Sequence, residues 1–249
     1  MEPRAIAPLT AAALLCAQLA AAQNSPLHVF ASNGVKAVID DVKPNLERAA
    51  GRTVNIEFGT TSGLKQKIDG GESFDVAILT ADAVEDLVKT GKISAATPVA
   101  RCGIGVGVRA GAPKPDISNP EALKRTLLNA KAITYAQDGA SRAHIEKMVE
   151  RFGITKELQP KTMLVAGSVR SNALVADGKA EIVMTLVSEI LPAPGVQLVG
   201  PLPKDVQSYV SFATGISPAS KSSDAGRALI KFLTSPAVAP VLKTKGMER

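Results

Sequence analysis

The sequence predicts an α/β fold in two lobes, with mostly parallel sheets, helices on both faces and two crossing strands. Three observations predict it. First, β-rich runs and amphipathic helical runs alternate from residue 26 onward, an order that lays strands side by side in parallel and covers both faces with helices. Second, two long β-rich stretches, near 101–109 and 203–210, are flanked by Gly/Pro loops and interrupt that rhythm. Third, the chain has 249 residues, enough for two cores, with no repeat, low-complexity tract or flexible linker between them. The expected division is 23–102 plus 208–249 for lobe I and 103–207 for lobe II.

Residues 1–22 stand apart as a secretory signal peptide. Arg4 supplies a short positive region, "AIAPLTAAALLCAQLA" an apolar one, and Ala20-Ala21-Ala22 a small-residue cleavage pattern before Gln23. The run is too short and Ala-rich for a membrane span. Large Leu15 before Cys16 argues against a lipid anchor there. The mature chain is expected to be soluble and periplasmic.

"PLHVFA" (26–31) reads as the first strand, ending at "SNG" (32–34). "VKAVIDDVKPNLERAA" (35–50) is helical in its apolar spacing, with Pro44 as a kink position. "RTVNIEF" (52–58) alternates as a strand does, and "GLKQKIDGG" opens a short helix that stops at Gly70-Gly71. "FDVAIL" (74–79) is a strand, followed by the helix "ADAVEDLVKTG". "VARCGIGVGVRAG" (99–111) is a long β run; its glycine spacing sits inside a strand and is not a dinucleotide fingerprint. "NPEALKRTLLNA" is a helix with Pro120 at its first position. The strand "AITYA" leads through the loop "QDGAS" to the helix "RAHIEKMVERFGI". The strand "KTMLVAG" leads to the loop "SVRSN" and then "ALVADGKA". "EIVMTLV" and "SYVSFATGI" are strands, and two helices close the chain.

Composition narrows the function classes. Tryptophan is absent and aromatic residues make up 3%, too few for the stacking platforms of single-strand nucleic-acid binding or sugar binding. The net charge of +6 is scattered, a solvated surface that attracts anions weakly. Cys102 stands alone once Cys16 is removed, and the only histidines are His28 and His144, so neither a disulfide, a zinc site nor another cofactor is expected.

Four expected strand-to-helix loops share one chemistry: "SNG" (32–34), "GTTSG" (59–63), "DGASR" (138–142) and "SVRSN" (168–172). Ligands of open α/β sheets sit at strand carboxyl ends, where helix starts offer free N–H groups and partial positive charge. Small residues admit a ligand to the backbone, and hydroxyls add donors, a combination suited to an oxyanion or carboxylate. Any one such loop is an ordinary helix cap. Four of them, two in each expected lobe, point to an anion cleft. The candidate ligand residues are Ser32, Asn33, Gly34, Thr60, Thr61, Ser62, Ser141, Arg142, Val169 and Arg170. The two arginines can grip a carboxylate two-pronged. No Gly-x-Ser-x-Gly elbow is present. His144, at a helix start, and Glu189, in "SEI" after a strand, are the candidate general bases if the site is catalytic.

The stretches "VFASNGVKAV", "FGTTSGLKQKIDGGESFDVAILTAD", "GIGVGVRAGAPKPDIS", "SEILPAPGVQLVGPLPKDVQ" and "ALIKFLTSPAVAPVLKTKGME" resemble the type II periplasmic substrate-binding proteins, specifically their molybdate-binding-like branch. The resemblance covers 27–249 and implies two α/β lobes, two crossing strands, a ligand in the cleft and hinge closure. It implies a first-loop hydroxyl position at Asn33 or Gly34 beside Ser32, and a second at Thr61 beside Ser62. It implies backbone N–H donors at Ser141 and Val169, and a Tyr near Leu186, where this chain has none. That departure, with Arg142 beside Ser141, favours an organic carboxylate over a tetrahedral oxyanion. The expected role is capture of a small anion for an ABC-type membrane permease by a monomer that binds no nucleic acid. A sensor domain partnering a membrane receptor is a weaker option. Aconitate isomerase is a similar exported protein, so the alternative is an isomerase that shifts a proton within an unsaturated tricarboxylate.

Overall fold

A computed structural model describes residues 25–249; the expected signal peptide lies outside the described residues. In chain order the elements are β1 (Leu27–Ser32), α1 (Lys36–Ala50), β2 (Val54–Gly59), α2 (Thr61–Asp69), β3 (Val76–Thr80), α3 (Ala81–Lys89) and β4 (Thr97–Arg109). Next come α4 (Pro120–Asn129), β5 (Ile133–Ala136), α5 (Arg142–Arg151), α6 (Thr155–Leu158), β6 (Thr162–Val165), α7 (Gly167–Ala176), β7 (Ile182–Leu186) and α8 (Val187–Ile190). The chain ends with β8 (Val196–Pro201), β9 (Tyr209–Ile216), α9 (Ser223–Leu233), α10 (Ala239–Thr244) and β10 (Met247–Glu248). A short 3-10 turn, Asn33–Val35, links β1 to α1.

Local chemistry explains the boundaries. α1 buries Val38, Ile39, Val42 and Leu46 on one face, runs through Pro44, and stops where Gly51 takes a left-handed φ of 67°. Asn119 caps α4 by accepting from the Ala122 N–H at 2.9 Å, with Pro120 in the first turn. α2 starts two residues earlier than the glycine suggested, because Thr60 supplies the cap. The stretch "SVRSN", expected as a loop, is the first half of α7, which begins at Gly167. β8 and β10 were not foreseen; β8 has six residues and β10 two, and both pair only with β4.

The strands that alternate with helices pair in parallel: β1 with β2 and β3, and β5 with β6 and β7. Every antiparallel pair involves β4 or β9, so the sheets are mixed. β4 joins the two lobes. Through Gly103 it pairs with β9, and from Ile104 it pairs with β7. The chain returns through residues 202–208, where the Gln207 amide accepts from Ile104 N and donates to Ile104 O, both at 3.0 Å. That side chain thus stands in for a strand neighbour where β4 changes sheets.

Helices cover both faces of the first sheet. Phe30 packs with Leu64, Ile68 and Leu87 of α2 and α3 on one side. Val29 packs with Ile39 and Leu46 of α1 and Leu229 of α9 on the other. That second cluster continues through Cys102, Ile104 and Val106 into Ile133 and Ile145, so one core runs from lobe to lobe along β4. Among the described residues no helix is long and apolar enough to cross a membrane.

Candidate functional site

The carboxyl ends of the strands in the two lobes face each other. Two hydrogen bonds show it: Ser62 Oγ donates to Asp138 O at 3.5 Å, and Ser188 Oγ donates to Gly34 O at 2.7 Å. The site is built from the starts of the Asn33–Val35 turn and α2 on one side. The starts of α5, α7 and α8 form the other.

On the first side, hydroxyls close on their own backbone. Ser32 Oγ accepts from Gly34 N at 3.4 Å. Thr60 Oγ1 accepts from Gly63 N at 3.2 Å, and Thr61 Oγ1 accepts from Thr80 N at 3.3 Å, tying α2 to the end of β3. Gly34 is required by close approach: a Cβ there would meet Phe212 Cζ and lie 2.9 Å from Leu186 Cδ1. Asn33 is half-buried and its side chain has no protein partner among the described residues.

The second side holds carboxyl groups. Asp138 Oδ1 accepts from Gly167 N at 2.7 Å, so an internal carboxylate sits at the N-terminus of α7, where partial positive charge favours it. Ser141 is buried, and its hydroxyl has no protein partner. Arg142 donates from Nη1 to Gln137 O at 2.6 Å and from Nε to Glu146 at 2.8 Å, which leaves Nη2 unengaged. Glu146 beside it holds the guanidinium still further toward its charged form. Glu189 Oε1 accepts from Ser168 Oγ at 2.8 Å, and Oε2 accepts from Thr185 Oγ1. Burial pushes the Glu189 carboxyl up from its ordinary range, and the two hydroxyls offset part of that. Asn172 Nδ2 donates to Glu189 O at 3.1 Å, while Asn172 Oδ1 is buried without a partner.

Buried polar groups concentrate here. Of the ten small polar residues buried among the described ones, seven border this junction: Ser32, Ser141, Ser168, Ser171, Asn172, Thr185 and Ser188. Buried polar groups need hydrogen-bond partners, and these seven gather where the two lobes meet.

Residues 27–248 match the family of bacterial extracellular solute-binding proteins. The chain belongs to that family. This solute-binding protein is 30% identical to aconitate isomerase from a Pseudomonas species, over 100% of this chain and 98% of the relative. Its fold is similar to that of the periplasmic molybdate-binding protein of Azotobacter vinelandii, with a TM-score of 0.75 at 15% identity, covering 90% of this chain and 99% of that one. It is also similar to a sulfate-binding protein of Mycobacterium tuberculosis, with a TM-score of 0.71 at 16% identity, covering 90% and 86% of the two chains.

The solute-binding protein places the expected residues unevenly. Ser32, Asn33, Gly34, Thr60, Thr61 and Ser62 lie together at the ends of β1 and β2, and Ser141 and Arg142 at the start of α5. Val169 and Arg170 lie in the first turn of α7 with exposed side chains, Val169 at 72%. His144 is exposed on α5, whereas Glu189 is half-buried against the buried hydroxyls of Ser168 and Thr185. Asp138, Ser168, Thr185 and Ser188 were not singled out from sequence. Asp138 was visible inside "DGASR", but its bond to Gly167 spans 29 residues and has no local signature.

Proposed function

We propose that this protein captures a small organic carboxylate between its lobes in the periplasm and hands it to an ABC-type permease. The single observation that carries the reading is the gathering of buried hydroxyls and helix starts on both sides of one junction, bridged by Ser62 and Asp138. Unpaired N–H groups and aligned peptide dipoles at α2, α5 and α7 suit a negative ligand. Free donors supplement them: the Asn33 amide, the Ser141 hydroxyl, Arg142 Nη2 and the unpaired Arg170. Charge-assisted hydrogen bonds contribute about 1.5–3 kcal/mol each, and micromolar affinity needs roughly 8 kcal/mol. A few such contacts therefore suffice. The carboxylate is favoured over a tetrahedral oxyanion by the 30% identity to a relative named for aconitate, twice that to the molybdate-binding structure. Apolar Leu186, packed against Gly34, leaves no hydroxyl where the resemblance implied a Tyr. In this reading lobe I is 23–102 plus 208–249 and lobe II is 103–207, a division supported by the change of partners within β4.

A thermal-shift panel of trans-aconitate, citrate, succinate, molybdate, tungstate and sulfate tests it. A ligand at 100 times its dissociation constant adds about 2.7 kcal/mol of stability. The carboxylates are expected to raise the midpoint; a response confined to molybdate and tungstate would overturn the assignment.

The half-buried Glu189, its carboxyl raised by desolvation, favours a second reading, an isomerase that moves a proton between the trans and cis forms of aconitate. Glu189 would remove the proton from one carbon and return it to another while the helix starts hold the carboxylates. Incubation of the purified protein with trans-aconitate, followed by chromatography for the cis form, decides the matter; no conversion removes this reading.

A further inference from the structure

Glu189 is the odd member of a site built for anions. It belongs to no ion pair among the described residues. Its two oxygens accept from the hydroxyls of Ser168 and Thr185, with the Leu186 N–H close by. Beside it, Asn172 Oδ1 is a buried acceptor with no donor. Two rotatable hydroxyls and the Leu186 N–H thus serve the Glu189 carboxyl, while Asn172 Oδ1 is left without a donor. An arriving carboxylate would bring more acceptors and a second negative charge to within one side chain of the first.

The surroundings do not supply a compensating cation. The elements packed against α8 are β4, β7, β8, α7 and the Asn33–Val35 turn. Of these, β7 and β8 carry no titratable side chain. β4 brings Cys102, Arg101 and Arg109; Arg101 is paired with Glu248, and Cys102 is a neutral thiol that burial pushes up. α7 brings only Arg170, which is exposed. Lys36, after the turn, is paired with Asp40, and Lys245, beside the Gly246 that touches Val187, with Asp41.

We propose that Glu189 carries a proton whenever the cleft holds its anion, so that capture of the carboxylate and uptake of one proton from solvent are a single linked event. The inference rests on the anion-cleft reading and adds its regulation. Protonated Glu189 supplies the missing donor. It lets one of the hydroxyls of Ser168 and Thr185 turn away, and Ser168, at the start of α7, can then donate to the ligand. The balance is one ionised carboxyl, one proton and one ligand anion going to one neutral carboxyl with the anion bound. The burial that raises Glu189 works in the same direction.

The test is calorimetric titration of trans-aconitate into the full chain and into Glu189→Gln at half-unit steps from pH 6.5 to 9, where the ligand's own carboxyls are ionised. The wild type is expected to lose affinity by up to tenfold per pH unit as the pH rises, while E189Q stays flat. Equal pH dependence in both proteins, or none in the wild type, overturns the proposal. A second arm needs no ligand. A carboxyl raised in the folded state contributes stability that is complete below its unfolded value and is lost as pH rises through its folded value. The melting midpoint of the wild type should therefore fall relative to E189Q between pH 5 and 8. A constant difference there together with a flat calorimetric profile overturns the proposal; a constant difference beside a pH-dependent affinity places the proton's arrival at binding, as proposed. If the second arm succeeds but no member of the anion panel binds, the cleft reading falls instead and takes the linkage with it.

Discussion

The two sides of the junction use similar residues to different ends. On the side of β1 and β2, three hydroxyls accept from backbone N–H groups of the same lobe: Ser32 from Gly34, Thr60 from Gly63, Thr61 from Thr80. On the side of β5, β6 and β7, carboxyl groups organise the hydroxyls and helix starts. Asp138 occupies the N-terminus of α7, and Glu189 lies between Ser168 and Thr185. The first side is a preformed wall whose hydroxyls accept from backbone N–H groups and so are fixed in place. The second contains carboxyl groups whose partners can change, and it is the side on which the proposed ligand and proton would act.

The largest test of this contrast is Gly34→Ala. Its methyl would collide with Phe212 and Leu186, and overpacking of this kind costs about 1–3 kcal/mol. The urea midpoint should fall by a corresponding amount; an unchanged midpoint would show that the wall yields. Next is Ser188→Ala, which removes the buried hydroxyl that reaches Gly34 O across the junction. A lost buried hydrogen bond costs about 0.5–1.5 kcal/mol, and small-angle scattering should show a larger radius of gyration as the lobes part. Thr60→Ala removes a cap from α2, a loss of about 1 kcal/mol, with hydrogen exchange quickening in the first turn only. The smallest effect on stability belongs to Asp138→Asn. The amide can keep the contact with Gly167 N while the competing charge disappears, so stability should barely move and trans-aconitate should bind more tightly. Weaker binding would mean that Asp138 organises the site rather than competing in it.

Most of the fold was legible because its signals are local. The apolar spacing of Val38, Ile39, Val42 and Leu46, the Asn119–Pro120 start and the long run around β4 each sit within a few residues. The starts of the turn after β1 and of α2 were legible for the same reason, since a cap and the N–H it serves are two or three residues apart. What was hidden depends on distance in sequence. "SVRSN" resembled a loop because Ser and Asn favour turns; in the fold Gly167 N is capped from Asp138 instead, and the segment becomes helix. β8 exists only because β4 offers it an edge. The environment of Glu189 joins Ser168 to a residue 21 positions away, and no periodicity announces that pairing. Arg142 was expected to reach for ligand with its whole fork, yet Glu146, one helical turn on, engages part of it.

The change of sheets within β4 has a practical consequence. Cys102 lies one residue before the switch, fully buried, and its sulfur accepts from the Ser188 N–H at 3.4 Å. It is the free cysteine of the described chain. A thiol at the pivot cannot be alkylated until the lobes move apart, so its labelling half-life with a maleimide is a built-in stopwatch for opening. A bound anion that holds the lobes together should lengthen that half-life, and no engineered probe is needed to read it.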